Sequence, residues 1–511
     1  MTLVGELTLG TGAGVLAGCI AVYLVCMSIY RLYFCPIAHI PGPKLAALTF
    51  WYEFYYDVVK RGKYTFRIAE MHEQYGPIIQ VNPYEVHIND PEFHEEIYTG
   101  PGRRRDKWAW SAKMFGIPGS MFSTVAADHH RIRRAPVNPF FSRQAITRFE
   151  PRLHHFVEEL CVRFEERRST GQPVELEAAF YGLTIDNISD YAFGEPFGSL
   201  KKPEYGKDWL NLFMALSEMT HMNKQFGWLA PLMRSLPHWL TEKAYPEMML
   251  LINYEKWLMK KVQSVIDEHD SYSNKEKEAD TGHPTMFHEF LASPSLPPEE
   301  KELQRLVDEA GTILGAGGNT VAWYLKSTFF HILDNPSIRK QLKDELQSAM
   351  PDPSIIPSLN ELERLPYLAA IIKEGFRISF GLTQRLQRVA PYDALYYGGY
   401  TIPPGTPVSM TSVLSHTNPK NFPNPMSFEP ERWLQPDSKQ KEKYLVNFSR
   451  GTRACIGKNL AIGEIHATIA ALFRRFDFEL YETDRSDVDF AHDFFNPSAR
   501  VDSKGMRVLI K

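Results

Sequence analysis

The segment Phe448–Gly457, which reads FSRGTRACIG, carries the strongest structural signal in this chain. It places Cys455 on a loop immediately before a predicted helix, where a metal, backbone N–H groups and the helix N-terminus can stabilise a thiolate. Gly451 and Gly457 can adopt positive φ or let a flat macrocycle approach the backbone closely. Arg453 is suited to pair with a haem propionate through charge-assisted hydrogen bonds. The segment therefore predicts a thiolate ligand for a haem iron.

The composition describes a large globular protein. With 511 residues, 44% of them hydrophobic, the chain can bury a sizeable core, and length alone suggests two or more domains. The net charge of -4 gives no reason to expect nucleic acid as a partner. Of the five cysteines, only Cys161 and Cys455 lie beyond the N-terminal apolar run and its exit. This pattern is not a disulfide framework and favours a reducing compartment.

An uncharged apolar run extends from Leu7 to Tyr30. At about 1.5 Å per residue it can span the hydrocarbon core of a bilayer. Glu6 precedes it and Arg31 follows it, so the positive-inside rule places the body in the cytosol. A cleaved signal peptide is the alternative, but the run is long for one and lacks a basic start. We expect a membrane anchor over residues 1–36 and a catalytic domain over residues 37–511.

The exit from the apolar run, Ile40–Pro43, reads IPGP. Prolines stop a helix and stiffen the chain that follows. Two interpretations stay open: an ordinary linker, or a hinge that sets the angle of the body to the membrane.

A long helix is predicted over Glu302–Leu333, where apolar residues recur at helical spacing. Its middle, Gly315–Thr320, reads GAGGNT, and each glycine there should cost about 1 kcal/mol relative to alanine. We therefore expect a local widening of the helix or the close approach of a ligand. Thr320 is a candidate proton relay. The alternative is a hydroxyl bonded to a carbonyl of its own helix.

A further helix is predicted over Pro366–Ile378, with proline in the favourable first turn. Glu374 and Arg377 fall on one face of it. Strand-like segments follow around Arg388–Val408, and Pro430–Trp433 then reads PERW.

Taken together, these motifs resemble the cytochrome P450 family. Phe448–Gly457 matches the family's haem-loop pattern at every fixed position, Glu374–Arg377 matches its Glu-x-x-Arg element, and Pro430–Arg432 matches its Pro-Glu-Arg element. The resemblance runs from Pro41 onward. It implies a mainly α fold with small β-sheets, the cytochrome P450-like fold, preceded by an N-terminal transmembrane helix. The Phe54–Asp57 run looks like fungal P450s of secondary metabolism, of the trichodiene-oxygenase-like group.

The resemblance implies heme b as the cofactor, with its iron axially ligated by Cys455. It also implies that Glu374, Arg377 and Arg432 form an ion-paired network that fixes the geometry behind the thiolate. Family members often carry tryptophan where His130 stands, and a solvated basic helix face is the alternative there. The other residues expected to bind the cofactor are His130, Arg134, Arg388, Arg453, Phe448, Gly457 and Ala316.

Thr320 and Asn319 are the expected catalytic residues of the distal helix. An acid usually precedes this threonine in the family, whereas asparagine can orient a water molecule but cannot titrate. Either water chains from elsewhere supply the proton, or turnover leaks more peroxide. A third alternative is a haem-thiolate isomerase or dehydratase that needs no external electrons.

The substrate-facing positions implied by the resemblance are mostly apolar and aromatic, as for a lipophilic small molecule. They are Trp108–Phe122, Phe226–Leu240, Ala316, Leu382–Thr383 and Phe494–Phe495. Any one of them is as readily explained as protein core.

The chain has no room for a flavin domain, so the resemblance implies O2 and a separate donor, NADPH–cytochrome P450 reductase. Arg131, Arg133, Arg450 and Lys458 form a predicted basic patch near Cys455 that suits an acidic donor, with routine surface charge as the alternative. The expected function is a monooxygenase of secondary-metabolite biosynthesis, terpenoid or polyketide in type. The expected location is the endoplasmic reticulum membrane, with the catalytic domain in the cytosol. A non-catalytic haem carrier and a membrane hydrolase are further rivals, but the hydrolase would need a Gly-x-Ser-x-Gly elbow that the sequence lacks.

Overall fold

The computed structural model describes residues 9–236, 246–273 and 285–511. The first residues of the apolar run and the end of the Phe226–Leu240 segment lie outside this description. The helices are α1 Leu9–Ile29, α2 Lys44–Leu48, α3 Trp51–Phe54, α4 Tyr64–Tyr75, α5 His94–Ile97, α6 Ala127–Arg134, α7 Arg143–Thr170, α8 Leu176–Phe193, α9 Lys207–Gln225, α10 Leu229–Ser235, α11 Pro246–Ser273, α12 Met286–Ala292, α13 Leu303–Asp334, α14 Pro336–Ala349, α15 Leu359–Leu362, α16 Pro366–Ser379, α17 Ser412–His416, α18 Ser438–Glu442 and α19 Lys458–Arg475.

Four small sheets accompany the helices in the described part of the chain. The largest has the strand order β1-β2-β8-β5-β3, in which β2 and β8 are parallel and the other neighbours antiparallel. The others are β4-β12-β9 and the hairpins β6-β7 and β10-β11. The strands are β1 Ile78–Gln80, β2 Val86–Ile88, β3 Asp106–Lys107, β4 Val174–Glu175, β5 Arg388–Val389, β6 Leu395–Tyr397, β7 Tyr400–Ile402, β8 Pro407–Ser409, β9 Phe478–Leu480, β10 His492–Phe494, β11 Asn496–Ser498 and β12 Arg507–Ile510.

Helix α13 forms the centre of the main core and is a continuous α-helix through its glycines. The glycines allow α8 to approach closely, because a Cβ on Gly317 would lie 2.7 Å from Ile188 Cγ1 and one on Gly318 would lie 3.0 Å from Tyr181 Cε2. The expected local widening is therefore wrong. Packing of α8 side chains accounts for Gly317 and Gly318, while the close approach of a ligand, the other alternative, stays a prediction.

Helix α1 is long and apolar enough to cross a membrane. The candidate span Gly12–Phe34 has a mean hydropathy of 2.1 and is not buried against the rest of the protein. It ends in a π-helical turn, Tyr30–Phe34, where the Arg31 guanidinium donates to the Leu48 carbonyl of α2. The end of the apolar helix is thus attached to the body.

The proline-rich exit packs against the sheet instead of hanging free. The Gln80 N–H of β1 donates to the Pro41 carbonyl over 2.8 Å, and a Cβ on Gly42 would lie only 2.6 Å from the Gln80 carbonyl oxygen. Ile37 and Ile40 are buried in the hydrophobic cluster that also contains Ile78 of β1 and Val86 of β2. This packing favours a fixed connection over a hinge.

Candidate active site

The loop that carries Cys455 is closed by its own backbone. The Cys455 N–H donates to the Phe448 carbonyl over 2.8 Å, just before α19 begins. Gly451 has φ +71, and a Cβ there would lie 2.0 Å from the Thr99 carbonyl oxygen, so only glycine fits. Gly457 differs, since its φ is −78 and a Cβ would meet nothing within 4 Å. Of the two proposed reasons for glycine, only open access for a ligand applies to Gly457.

The Cys455 thiol is accessible but surrounded by protein. Burial by that protein raises the pKa of the thiol. Backbone N–H groups of Gly457 and Lys458 and the charge of Arg134 oppose that rise in pKa. These groups are the donors and the cation that a thiolate at this position needs.

Five basic side chains gather beside this loop; we call Lys107, His130, Arg134, Arg388 and Arg453 the cation cluster. In the described part of the chain their side-chain hydrogen bonds go to carbonyl oxygens and one amide, not to carboxylates. Arg453 donates to the Thr124 and Val125 carbonyls over 2.8 and 2.7 Å, and Arg134 donates to the Ala454 carbonyl over 2.6 Å. The cluster therefore holds cations without a matching set of anions.

The electrostatics of the cation cluster reflect that imbalance. Burial, followed by the charge of Arg388, lowers the pKa of Arg453 to about 9. Burial and the nearby Arg453 and Arg134 charges lower the pKa of His130 to about 2. His130 is 5% exposed, so the solvated-face alternative fails for this residue.

Lys107 belongs to this cluster, and the sequence analysis missed it. Strand β3 pairs with β5 so that Lys107 lies opposite Arg388. Burial and the charges of Arg388 and Arg453 hold the pKa of Lys107 well below its ordinary value. The only sequence signal was its place at the end of the basic run Arg103–Lys107, which leads into a segment expected to face substrate.

The cation cluster fits a haem. A pair of propionate carboxylates would supply the missing negative charge, and the buried Nε of Arg453 has no hydrogen-bond partner among the described residues. The nearby acid Asp106 already accepts from the Ala127 N–H over 2.8 Å and from Arg104. The basic groups and the thiol thus match both the anionic edge and the metal of that cofactor.

Glu374, Arg377 and Arg432 form the predicted ion-paired network, which we call the Glu374 cluster. Glu374 Oε1 accepts from Arg377 Nη2 over 2.7 Å and from Arg432 Nε over 3.0 Å. The indole N–H of Trp433 donates to Oε2 over 2.9 Å, a partner not anticipated from the sequence. Glu374 and Arg377 have no exposed surface. His416 accepts from the Val446 N–H over 2.9 Å and bonds the Arg377 carbonyl, which connects the cluster to the start of the loop.

The distal helix shows the local bond that was the alternative for Thr320. Its hydroxyl donates to the Ala316 carbonyl over 2.7 Å, which leaves the hydroxyl oxygen able to accept a second hydrogen bond. Ala316 is exposed although it lies in the middle of a mostly buried helix, so this face borders an opening. Asn319 is buried and points to α9, where its amide lies 4.0 Å from Met214 Sδ.

Three phenylalanines from the predicted substrate-facing segments meet edge to face. The ring of Phe495 lies 4.8 Å from that of Phe115 and 5.6 Å from that of Phe122. Phe494 points elsewhere, toward His221 and the Arg61 guanidinium. The structure therefore separates two adjacent residues that the sequence analysis treated alike.

The residues of the predicted basic patch differ in their exposure and in their partners. Arg131 has a side chain that is 79% exposed. Arg133 is buried, with its Nε 2.7 Å from Glu300 Oε2, so its inclusion in the patch is wrong. Arg450 bonds Glu95 over 2.6 Å.

Sequence comparison identifies the family to which this site belongs. The cytochrome P450 family model matches residues 41–503. The chain is a member of the cytochrome P450 family. Its relatives include the tryptophan 6-hydroxylase fscE of Fusarium equiseti, 47% identical over 95% of this chain and 94% of the relative. The N-acetyltryptophan 6-hydroxylase ivoC of Emericella nidulans is 42% identical over 96% of this chain and 95% of its own length. The cytochrome P450 monooxygenase sdnE of Sordaria araneosa is 42% identical over 96% of each chain.

The expected fold and enzyme class are thereby confirmed. The protein is a P450 monooxygenase, an oxidoreductase similar to fungal enzymes of secondary metabolism. Membership of the family implies a haem-thiolate cofactor, a redox partner, O2 and a small-molecule substrate.

Proposed function

We propose that this P450 is a membrane-anchored, reductase-dependent monooxygenase that hydroxylates or otherwise oxidises a lipophilic small molecule in secondary metabolism. The observation that carries the proposal is the accessible Cys455 thiol beside a cluster of cations whose described hydrogen bonds go to no carboxylate. The proposed division is an anchor over residues 1–36 and a catalytic domain over residues 37–511.

The proposed cofactor is heme b, whose iron Cys455 would bind and whose propionates the cation cluster would hold. When bound, this group supplies oxygen activation, and in P450s generally thiolate donation favours O–O cleavage. The protein's part is to hold the sulfur as an anion, for which the Gly457 and Lys458 N–H groups and Arg134 are placed. Phe448 and Gly457 would border the ring from the loop, and Ala316 from α13.

Thr320 and Asn319 are the proposed distal residues. The Thr320 oxygen can accept a hydrogen bond from a water molecule while its own O–H continues to donate to the Ala316 carbonyl. Asn319 can orient but not titrate, and it contacts Met214 instead of a charged group. We infer that the proton arrives through water and not from the residue preceding Thr320.

A more specific substrate class is an aromatic ring. The edge-to-face group of Phe115, Phe122 and Phe495 offers ring edges and faces to a flat substrate. Two relatives are named as hydroxylases of tryptophan and of N-acetyltryptophan. This proposal differs from the terpenoid or polyketide substrates expected earlier.

The proposed location is the endoplasmic reticulum membrane, crossed once, with the catalytic domain in the cytosol. Exposed aromatic side chains support a second membrane contact near the end of the anchor: Trp51 is 61% exposed and Trp228 is 63% exposed, with Phe226 between them. The proposed electron donor is NADPH–cytochrome P450 reductase, which would dock through Arg131 and Lys458.

The first test is spectroscopic. The reduced protein with carbon monoxide should give the red-shifted Soret band of a thiolate-bound carbonyl, and Cys455→Ser should abolish it. An unchanged band in Cys455→Ser would refute the assignment.

The second test compares extracts incubated with the enzyme in the presence and absence of NADPH and reductase. Product that depends on both supports a monooxygenase. Product formed without either would favour the isomerase or dehydratase alternative.

A further inference from the structure

We propose that His221 and Asp493 position the substrate-facing ring of Phe495, so that the fit of a substrate depends on the hydrogen bond between His221 and the Asp493 carbonyl. The inference rests on the proposed function, because Phe495 is taken to border the substrate. His221 and Asp493 are positioning residues here, since neither reaches the reacting atoms.

The backbone of Phe495 needs to be held in place. Its φ is +70, a region that bulky L-residues occupy only when the surroundings impose it. The Phe495 N–H donates to Asp493 Oδ1 over 3.1 Å. The Phe495 carbonyl accepts from the Thr383 and Gln384 N–H groups over 3.2 and 3.4 Å. These bonds fix the direction of the ring toward Phe115.

Asp493 is the residue that makes these bonds possible. It is 1% exposed, and its Oδ1 also accepts from the Thr383 hydroxyl over 2.9 Å. Its Oδ2 accepts from the Thr65 hydroxyl, and its N–H donates to the Gly62 carbonyl over 2.9 Å. The remaining backbone acceptor, the Asp493 carbonyl, takes the Nε2 of His221 at 2.5 Å. Helices α4 and α9, the turn at Gly62 and the loop after α16 therefore all bond one buried residue, Asp493, through its carboxylate or its backbone.

His221 brings α9 into this arrangement. Its Nδ1 lies 3.2 Å from Asp57 Oδ2, and the imidazole is 1% exposed. Burial acts to lower the pKa of His221, but the charge and proximity of Asp57, together with the charge of Asp493, raise that pKa above its ordinary value. The protonated ring can therefore pair with the Asp57 carboxylate while its Nε2–H donates to the Asp493 carbonyl.

One turn further along α9, a second basic residue binds the same acidic group and makes no contact with Asp493. Lys224 Nζ lies 2.9 Å from Glu53 Oε1 and 3.1 Å from Asp57 Oδ2, and all three groups are buried. Substitution of Lys224 therefore tests the ion pairs that hold α9. Substitution of His221 tests the connection between α9 and the β10-β11 hairpin, which contains Asp493.

The experiment uses the haem-loaded full chain and two iron-binding probes, imidazole and 4-phenylimidazole. The phenyl ring of the larger probe occupies the space above the iron, while imidazole makes no such contact. Difference spectroscopy gives both dissociation constants. His221→Phe removes the hydrogen bond to the Asp493 carbonyl and the ion pair with Asp57, His221→Gln keeps a donor for that carbonyl, and Lys224→Met is the matched control.

In His221→Phe we expect 4-phenylimidazole to bind about three- to tenfold more weakly, the effect of losing one buried hydrogen bond, with imidazole unchanged. His221→Gln should retain most of the affinity, and Lys224→Met should not reproduce the selective loss. Equal weakening of both probes, or no weakening of either, would overturn the proposal. The same selective loss in Lys224→Met would overturn the route through Asp493.

Amide hydrogen exchange supplies a readout that does not depend on the haem ligand. The peptide containing Phe495 should exchange faster in His221→Phe than in His221→Gln or the parent protein. Unchanged exchange would sink the inference even where the carbonyl spectrum upholds the proposed function. An absent carbonyl band with faster exchange would instead sink the proposed function alone.

Discussion

Two arginine-containing clusters lie beside the Cys455 loop and differ in how their charge is balanced. The Glu374 cluster contains its own acid, which contacts Arg377, Arg432 and Trp433 with no exposed carboxylate surface. In the cation cluster, the described side chains bond carbonyl oxygens, and the pKa values of its basic groups are lowered.

The difference separates support from binding. A buried carboxylate surrounded by donors fixes local geometry, and its loss leaves uncompensated charge. Buried cations without carboxylates destabilise the protein. A bound anion relieves that destabilisation, so the cations favour anion binding. Residue type alone does not distinguish the two roles, because arginine serves both.

The largest expected effect is that of Glu374→Ala. Removing the acid strands Arg377 and Arg432 in the interior, which should cost about 3–5 kcal/mol of unfolding free energy and yield protein without haem. Urea unfolding and haem content measure the two outcomes. Glu442→Ala, which removes an exposed partner of Lys373, is the control and should change little. Normal haem content in Glu374→Ala would erase the distinction between the clusters.

Arg388→Met should weaken haem binding without lowering the stability of the haem-free protein, in contrast to Glu374→Ala. Loss of one charge-assisted bond should weaken haem binding about ten- to hundredfold, while the haem-free protein stays equally stable or gains stability. Haem transfer to an acceptor protein and urea unfolding measure the two quantities. Arg131→Met, an exposed neighbour of His130, is the control. If Arg388→Met destabilised the haem-free protein as Glu374→Ala does, the cation cluster would be structural.

His130 gives the cation cluster a pH dependence. Its folded pKa of about 2 lies below the ordinary 6.5, so its contribution to stability is present above pH 6.5 and is lost as the pH falls toward 2. For haem-free protein the loss between pH 6.5 and pH 5 should be about 2 kcal/mol. His130→Phe should remove that dependence, and bound haem should reduce it. Equal pH slopes in the parent and in His130→Phe would contradict this account.

The sequence predicted what depends on local pattern and missed what depends on long-range pairing. The Cys455 loop and the Glu374–Arg377 face were identifiable because their spacing fixes their relation within one element. Lys107 was missed because its place beside Arg388 comes from the pairing of β3 with β5. Arg133 was misplaced because α6, with sequence ADHHRIRR, has too few apolar residues to show which face is buried.

Helix α13 illustrates the same limit. Its extent was predicted to within about one residue at each end from apolar periodicity, but the widening expected at its glycines is absent. Their explanation lies in Ile188 and Tyr181 of α8, far away in sequence. One amino-acid sequence does not show which helices will pack against each other.

The smallest expected effect concerns a buried acid that lacks a cation, the mirror image of the cation cluster. Glu464 on α19 is 2% exposed, and burial raises its pKa well above the ordinary value although Asn187 lies nearby. Its stabilising contribution is therefore complete below about pH 4.5 and is lost as the pH rises toward the folded pKa.

Glu464→Gln should remove the titration, so that its stability relative to the parent protein increases as the pH rises. Thermal unfolding between pH 6 and pH 9 measures it, with Glu479→Gln as the exposed control. Because haem does not neutralise this acid, the pH slope should be the same with and without the cofactor. A slope that changed with haem would mean that the charge imbalance beside Cys455 extends into α19 and that the two regions are not independent.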